Sequence, residues 1–168
     1  MEGRLTILPI RPLDSRDVEA ILEIQAACPE IAQWTAWDYD RVARGEMAGW
    51  VATENFSVGE QIAADVAPEF GDEVAGFLVA RRLSSELEIL NFAVESEWRH
   101  CGIGAALLTA ALQWSQTFQA THAILEVRAS NLAALRFYER HKFEVVGRRP
   151  RYYTAPVEDA LLLTAPLT

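Results

Sequence analysis

The chain has 168 residues, 51% of them hydrophobic, and carries 15 Lys and Arg against 24 Asp and Glu, a formal net charge of −9. That size and apolar content suit one domain, residues 1–168, with a sizeable core. The acidic balance excludes a nucleic-acid surface, which needs concentrated Lys and Arg, and suits a basic peptide or protein partner, unless the charge serves solubility alone. Two cysteines, Cys28 and Cys101, make neither a disulfide framework nor a metal-ligand spacing, so no metal is expected. The opening Met-Glu-Gly-Arg lacks a signal peptide's basic start and apolar stretch, and no apolar run is long enough for a bilayer; a cytoplasmic protein without membrane contact is expected.

Leu5 to Ile10 alternates like a strand, and Pro-Leu-Asp-Ser supplies a turn and cap for a helix whose apolar positions include Val18, Ile21 and Leu22. Trp34 to Asp38 breaks the pattern and caps a short helix over Tyr39 to Arg44, with Gly45 near its end. Strands follow at Trp50–Glu54, Val74–Leu83 and Glu86–Val94, an antiparallel meander in which residues 57–72 form a long, mobile hairpin connection. The next helix aligns Ile103, Leu107, Ala111, Trp114 and Phe118 on one face. A strand at Ala123–Arg128, a helix capped by Ser130-Asn131 and running to Arg140, a strand from Phe143 and a last one at Glu158–Ala165 complete the order β-α-α-β-β-β-α-β-α-β-β, a mixed α/β domain.

Arg99-His100-Cys101-Gly102-Ile103-Gly104 sits between a strand and an amphipathic helix. Glycines there let the backbone approach a ligand, and the first helical turn directs free N–H groups and the positive dipole end at an anion, so the loop reads as a cradle for a phosphate or pyrophosphate. A dinucleotide fingerprint would need a third glycine where Leu107 stands, and a P-loop would need a Gly-Lys pair, which the chain lacks. Plain scaffold also uses strand, glycine turn and helix.

Glu126 lies among apolar residues of a strand, where a carboxylate is costly unless paired or facing a cleft. It is either a general base with a pKa raised toward neutrality or the partner of Arg128 in an ion pair. Tyr138, seven residues past Asn131, is either a phenol able to reprotonate a thiolate or a core aromatic beside Leu135 and Phe137. His100, His122 and His141 have no zinc or triad spacing, and default to surface or capping roles. Trp34, Trp37, Tyr152 and Tyr153 form two aromatic pairs in apparent loops, lining a peptide groove or packing beneath a loop.

Taken together, Asn91-Phe92-Ala93-Val94, the stretch Arg99 to Leu108, Leu125-Glu126-Val127-Arg128-Ala129-Ser130-Asn131 and Phe137-Tyr138-Glu139-Arg140 resemble the GCN5-related N-acetyltransferases (GNAT). Arg151-Tyr152-Tyr153 and Glu158-Asp159-Ala160 direct the likeness to the branch of ribosomal-protein-alanine N-acetyltransferases, the RimI enzymes, over about residues 5–165. The resemblance implies a mostly antiparallel mixed sheet with splayed central strands and acetyl-CoA as co-substrate. It implies that Phe92, Ala93 and Val94 pair with the pantetheine arm and that Arg99, His100, Cys101, Gly102, Ile103, Gly104 and Ala105 hold the pyrophosphate. It assigns Asn131 to a coenzyme contact, Glu126 to the base and Tyr138 to the acid of a direct ternary-complex transfer, with Cys101 a bystander.

An α-amino group with a pKa near ~8 suits a glutamate acting through water better than lysine at ~10.4 does. The reaction that the resemblance implies is acetylation of the N-terminal alanine of a small-subunit ribosomal protein, presented as a basic N-terminal peptide. Trp34, Tyr152 and Tyr153 are the candidate substrate contacts. Other protein N-termini or a small amine are the alternative acceptors, and a catalytically silent acyl-CoA-binding module is the alternative class. Two departures from the family pattern are Lys142 at a helix end where glycine is common, and Trp34-Thr35 where Pro-Trp-Ser is more familiar; residues 57–72 also lengthen a hairpin.

Overall fold

The structure, a computed structural model, describes residues 10–54 and 73–167. Among them, strands β1 (Ile10–Pro12), β2 (Ala48–Glu54), β3 (Glu73–Leu83), β4 (Glu86–Val94), β5 (His122–Arg128), β6 (Glu144–Thr154) and β7 (Val157–Pro166) form one sheet in the order β1-β2-β3-β4-β5-β7-β6. Helices α1 (Val18–Ala26), α2 (Ala36–Ala43), α3 (Ile103–Gln116) and α4 (Leu132–Arg140) connect them. The element order is the expected one. The predicted hairpin at 57–72 and the first residues of the predicted opening strand, 5–9, lie outside the described residues.

Local chemistry sets most boundaries. Asp14 accepts from the Arg16 N–H and Asp17 from the Asp14 N–H, a reciprocal cap that opens the turn leading into α1. Thr35 and Asp38 do the same for α2, which therefore begins at Ala36 rather than at the expected Tyr39. Gly45, at φ +83, follows its end. Helix α4 closes with Phe143 N–H on the Tyr138 carbonyl and Lys142 N–H on that of Glu139, with Lys142 left-handed at φ +66, a conformation that favours glycine.

Two apolar layers cover the sheet. Leu107, Leu108 and Ala111 of α3 pack with Leu78, Leu87 and Leu125 on one face, while Ile21, Ile24, Tyr39 and Val42 of α1 and α2 pack with Val51, Phe77 and Val79 on the other. Burying both faces makes β3 a near-continuous apolar run instead of an alternating one.

The feature that creates the site is the parting of β4 from β5. The pair is parallel, and its register covers only Glu86–Ile89 against His122–Leu125; every other pair in the sheet is antiparallel. Just beyond, the β3–β4 register slips between Val79 and Ala80, leaving Leu90 as an extra residue in β4. Such a bulge bends its strand and sharpens the twist. Strand β4 thus continues to Val94 with its far edge unpaired.

Candidate active site

The open edge of β4 has a defined polarity. The Glu95 N–H donates to the Ala75 carbonyl at 2.9 Å, on the β3 side, so alternation turns the N–H and C=O of Val94 toward the gap. Arg99 Nε bonds that carbonyl at 3.1 Å. The Val94 N–H is left as a donor facing the cleft.

Beside this edge, α3 begins on Gly102, whose left-handed φ of +82 disfavours a side chain and whose position supplies no capping oxygen. The first intrahelical bond is Ala106 N–H to the Gly102 carbonyl, so the N–H groups of the preceding turn lack the side-chain cap that α2 and α4 possess. Gly104 is small for a different reason: a Cβ there would stand 3.2 Å from Phe137 Cε2 and 3.5 Å from Phe92 Cζ, closing the approach between α3, α4 and β4.

These groups border a cavity of about 540 Å³, together with Phe92, Ala93, Val94, Arg99, His100, Ala105, Asn131, Arg140 and His141. Free helix N–H groups, a strand edge and a rim containing Arg99, His100 and Arg140 fit an elongated ligand with a phosphate-rich end, the chemistry of acetyl-CoA. Cys101 and Ile103 depart from the expectation that the whole loop lines the site. Cys101 is exposed, with its thiol on the Arg99 carbonyl, and Ile103 is 4% exposed within the core; neither lines the cavity.

A second cavity, of about 280 Å³, adjoins the first, and Glu30, Ile31, Phe92, Asn131, Ala134 and Tyr138 border both. Its further lining includes Trp34, Glu88, Glu126, Tyr152 and Tyr153. The structure therefore brings Glu126, Tyr138 and the three candidate substrate contacts to one space. Trp37 stays outside, 60% exposed with Arg44 5.0 Å from its ring centroid.

Tyr138 is 6% exposed, and among the described residues nothing hydrogen-bonds its hydroxyl; burial holds its phenol well above the ordinary tyrosine value. Its ring packs 5.3 Å from Phe143, as the core-aromatic reading has it, and the residue borders both cavities. Asn131 likewise does two things: its side-chain oxygen caps α4 through the Ala134 N–H at 3.2 Å, and the residue stands at the junction of the cavities.

Glu126 has an ion pair, with a partner other than the expected one. Its Oε1 lies 3.0 Å from Arg149 Nε of β6, while Arg128 turns to Glu158 at 3.5 Å. Its side chain is 27% exposed and borders the smaller cavity, so Glu126 is both paired and facing a cleft. Its charge pushes up the phenol of Tyr152, and burial together with the same charge pushes up that of Tyr153.

Tyr152 and Tyr153 lie in β6, not in a loop. The β6–β7 register jumps between Arg149 and Tyr153, and Asp159 holds the bulged segment by accepting from the Arg151 N–H and the Arg148 guanidinium, each at 2.8 Å. Arg128 stacks 4.1 Å over Tyr153 and Arg149 5.4 Å over Tyr152, so two guanidinium groups frame this wall of the cavity.

Sequence reasoning missed Glu30, Ile31, Arg140 and His141. No local pattern marks Glu30 or Ile31, which reach the site only because the segment after α1 folds back over β4. Arg140 and His141 had a signal, basic side chains at a helix C-terminus, but the same signal serves the helix dipole.

The family model for the acetyltransferase (GNAT) family matches residues 18–143. The chain is 33% identical over 121 residues to an N-alpha-acetyltransferase of Sulfurisphaera tokodaii, covering 64% of this chain and 72% of that protein. It is 31% identical over 99 residues to the [ribosomal protein bS18]-alanine N-acetyltransferase of Salmonella typhimurium, covering 58% and 67%. The crystal structure of the ribosomal-protein-S18-alanine N-acetyltransferase of Escherichia coli shares the fold at a TM-score of 0.76, with 24% identity over 96% of this chain and 95% of that one. The chain belongs to the acetyltransferase (GNAT) family and is an N-acetyltransferase.

Proposed function

We propose that the protein transfers the acetyl group of acetyl-CoA to the α-amino group of the N-terminal alanine of a small-subunit ribosomal protein, in a ternary complex without a covalent acyl-enzyme. The observation that carries this reading is that Glu126 and Tyr138 border one cavity while Tyr138 also borders the larger one, so an amine and a thioester entering by the two cavities would meet between them. The acidic lining, Glu30, Glu88 and Glu126, attracts a cationic terminus. Such a substrate would be met in the cytoplasm.

The residues divide the work by chemistry. The free N–H groups at the start of α3, with Arg99 and His100 beside them, hold the diphosphate end, and the open edge of β4 from Phe92 to Val94 holds the amide-bearing arm. Acetyl-CoA, when bound, supplies an activated acyl group on a good leaving thiolate. Glu126 takes the proton of the α-ammonium through a water, which requires the incoming amine to compete with Arg149 for the carboxylate. The Val94 N–H donates to the carbonyl oxygen as it gains charge. Tyr138, held protonated by burial, donates its proton to the departing sulfur.

The likeness to the Sulfurisphaera tokodaii N-alpha-acetyltransferase supports a second reading, in which other protein N-termini are also acceptors. Free-thiol release from acetyl-CoA tests both, using a peptide beginning Ala-Arg, the same peptide with a blocked terminus, and peptides with other first residues. Turnover of the free Ala-Arg peptide alone is expected, and Glu126→Gln lowers it ~10²- to 10⁴-fold without weakening acetyl-CoA binding. Equal turnover of the blocked peptide, or an unchanged rate in Glu126→Gln, rules out the mechanism.

A further inference from the structure

The connection between α1 and α2, residues 27–35, forms a wall common to both cavities, and two sets of side chains hold it, bridged by Gln33, whose Nε2 donates to the Cys28 and Ile31 carbonyls at 3.1 and 3.2 Å. Near α1, the Arg99 guanidinium bonds Cys28 Sγ at 3.3 Å and the Val94 carbonyl at 3.1 Å, fastening buried Cys28 to the end of β4 beside the larger cavity. Near α2, a polar cluster does the fastening. Asn91 Nδ2 donates to the Ala32 carbonyl and to the Tyr39 hydroxyl, each at 3.0 Å. The Tyr39 hydroxyl donates to Gln25 Oε1 at 2.6 Å, the Trp34 N–H donates to the same oxygen at 2.9 Å, and Gln25 Nε2 donates to the Trp34 carbonyl at 2.9 Å.

Gln25, Tyr39 and Asn91 are 5%, 0% and 4% exposed, within the layer formed by Ile21, Ile24, Phe77 and Val79. Burying polar groups in apolar surroundings is costly unless their bonds are made, and packing alone would be served by apolar residues. Both Asn91 amide hydrogens have acceptors, its oxygen accepts from the Phe92 N–H at 3.1 Å, the Tyr39 hydroxyl both gives and receives, and the bonds from the cluster to the connection end on the backbone of Ala32 and Trp34. Those two residues line the smaller cavity and not the larger. Asn91 also precedes Phe92, where the cavities meet, so the cluster sets the wall in register with the open strand edge.

We propose that the connection is anchored at two points, Arg99 beside acetyl-CoA and the polar cluster beside the acceptor, and that Gln25, Tyr39 and Asn91 are positioning residues whose main effect is to fix where the amine substrate sits. This rests on the reading that the smaller cavity receives the amine.

Tyr39→Phe tests it, because the ring keeps its packing on Phe77 and Trp34 while the bridging hydroxyl is lost. The KM for the Ala-Arg peptide is expected to rise about tenfold, with kcat and the KM for acetyl-CoA within about twofold of the parent. Amide hydrogen exchange should quicken at residues 32–35 and stay unchanged at Cys28. An unchanged peptide KM, a parallel rise in both KM values, or faster exchange spread evenly over 27–35 overturns the proposal. If the parent protein acetylates none of the peptides, the acceptor reading fails while the exchange pattern still decides whether the connection has two anchors.

Discussion

Helices α2 and α3 start in opposite ways. At α2, Thr35 and Asp38 satisfy each other's backbone N–H groups, closing the helix end with the chain's own oxygens. At α3, Gly102 offers no side chain and the first-turn N–H groups meet a cavity. The same unsatisfied donors arise at every helix start. Where the chain caps them they contribute to stability, and where it leaves them open they remain available to an anion. The contrast separates stability from binding within one molecule, and α4 lies between the two extremes: Asn131 caps it while standing in the site.

The sharpest way to break the contrast is to supply α3 with the negative charge it lacks. Ala105→Glu puts a carboxylate in the first turn, where it suits the helix dipole, and in the place open to the ligand's anion. Acetyl-CoA affinity by calorimetry should fall at least ~10-fold, about 1.4 kcal/mol, while the melting temperature of the ligand-free protein stays level or rises. A parallel loss of both would mean that the open N-terminus is only scaffold.

The converse change, Thr35→Ala, removes a working cap. It should cost ~1 kcal/mol in denaturant titration and leave acetyl-CoA affinity untouched. Lys142→Gly carries the comparison to a helix C-terminus: relieving the left-handed strain at φ +66 should stabilise the protein by roughly 0.5–1 kcal/mol, read as a higher denaturant midpoint with unchanged kcat.

The smallest effect concerns pH. Burial raises the Tyr138 phenol in the folded protein, so above pH ~10 the unfolded chain ionises that group first, and stability declines as pH rises from there. Tyr138→Phe should flatten that alkaline decline. In the parent, an alkaline fall in activity assignable to Tyr138 should be absent below pH ~10.

Order and type of the elements were legible because they depend on neighbours a few residues apart. Apolar spacing marked α1 and α3, the β-branched and apolar runs marked β3 to β5, and Asn131 announced its cap. The glycines at the start of α3 were legible too, although for two reasons that the sequence does not separate, a left-handed φ at Gly102 and a tight contact at Gly104. Errors arose where a local signal had two readings. The Thr35 cap lengthened a helix expected to start at Tyr39, and Arg-Tyr-Tyr, read as loop, is a bulged strand pinned by Asp159.

By itself, then, the sequence determined which segments are helix and strand, where a glycine turn opens a helix beside a strand end, and which family the chain resembles, since these rest on periodicity and short motifs. Only the tertiary structure decided that Glu126 pairs with Arg149 rather than Arg128, that β4 parts from β5 after Ile89, and that Glu30 and Ile31 border both cavities. The physical reason is reach: a strand's side chains find their partners across the sheet, at distances in sequence that no local pattern encodes, and a cavity exists only where separate segments fail to close on one another.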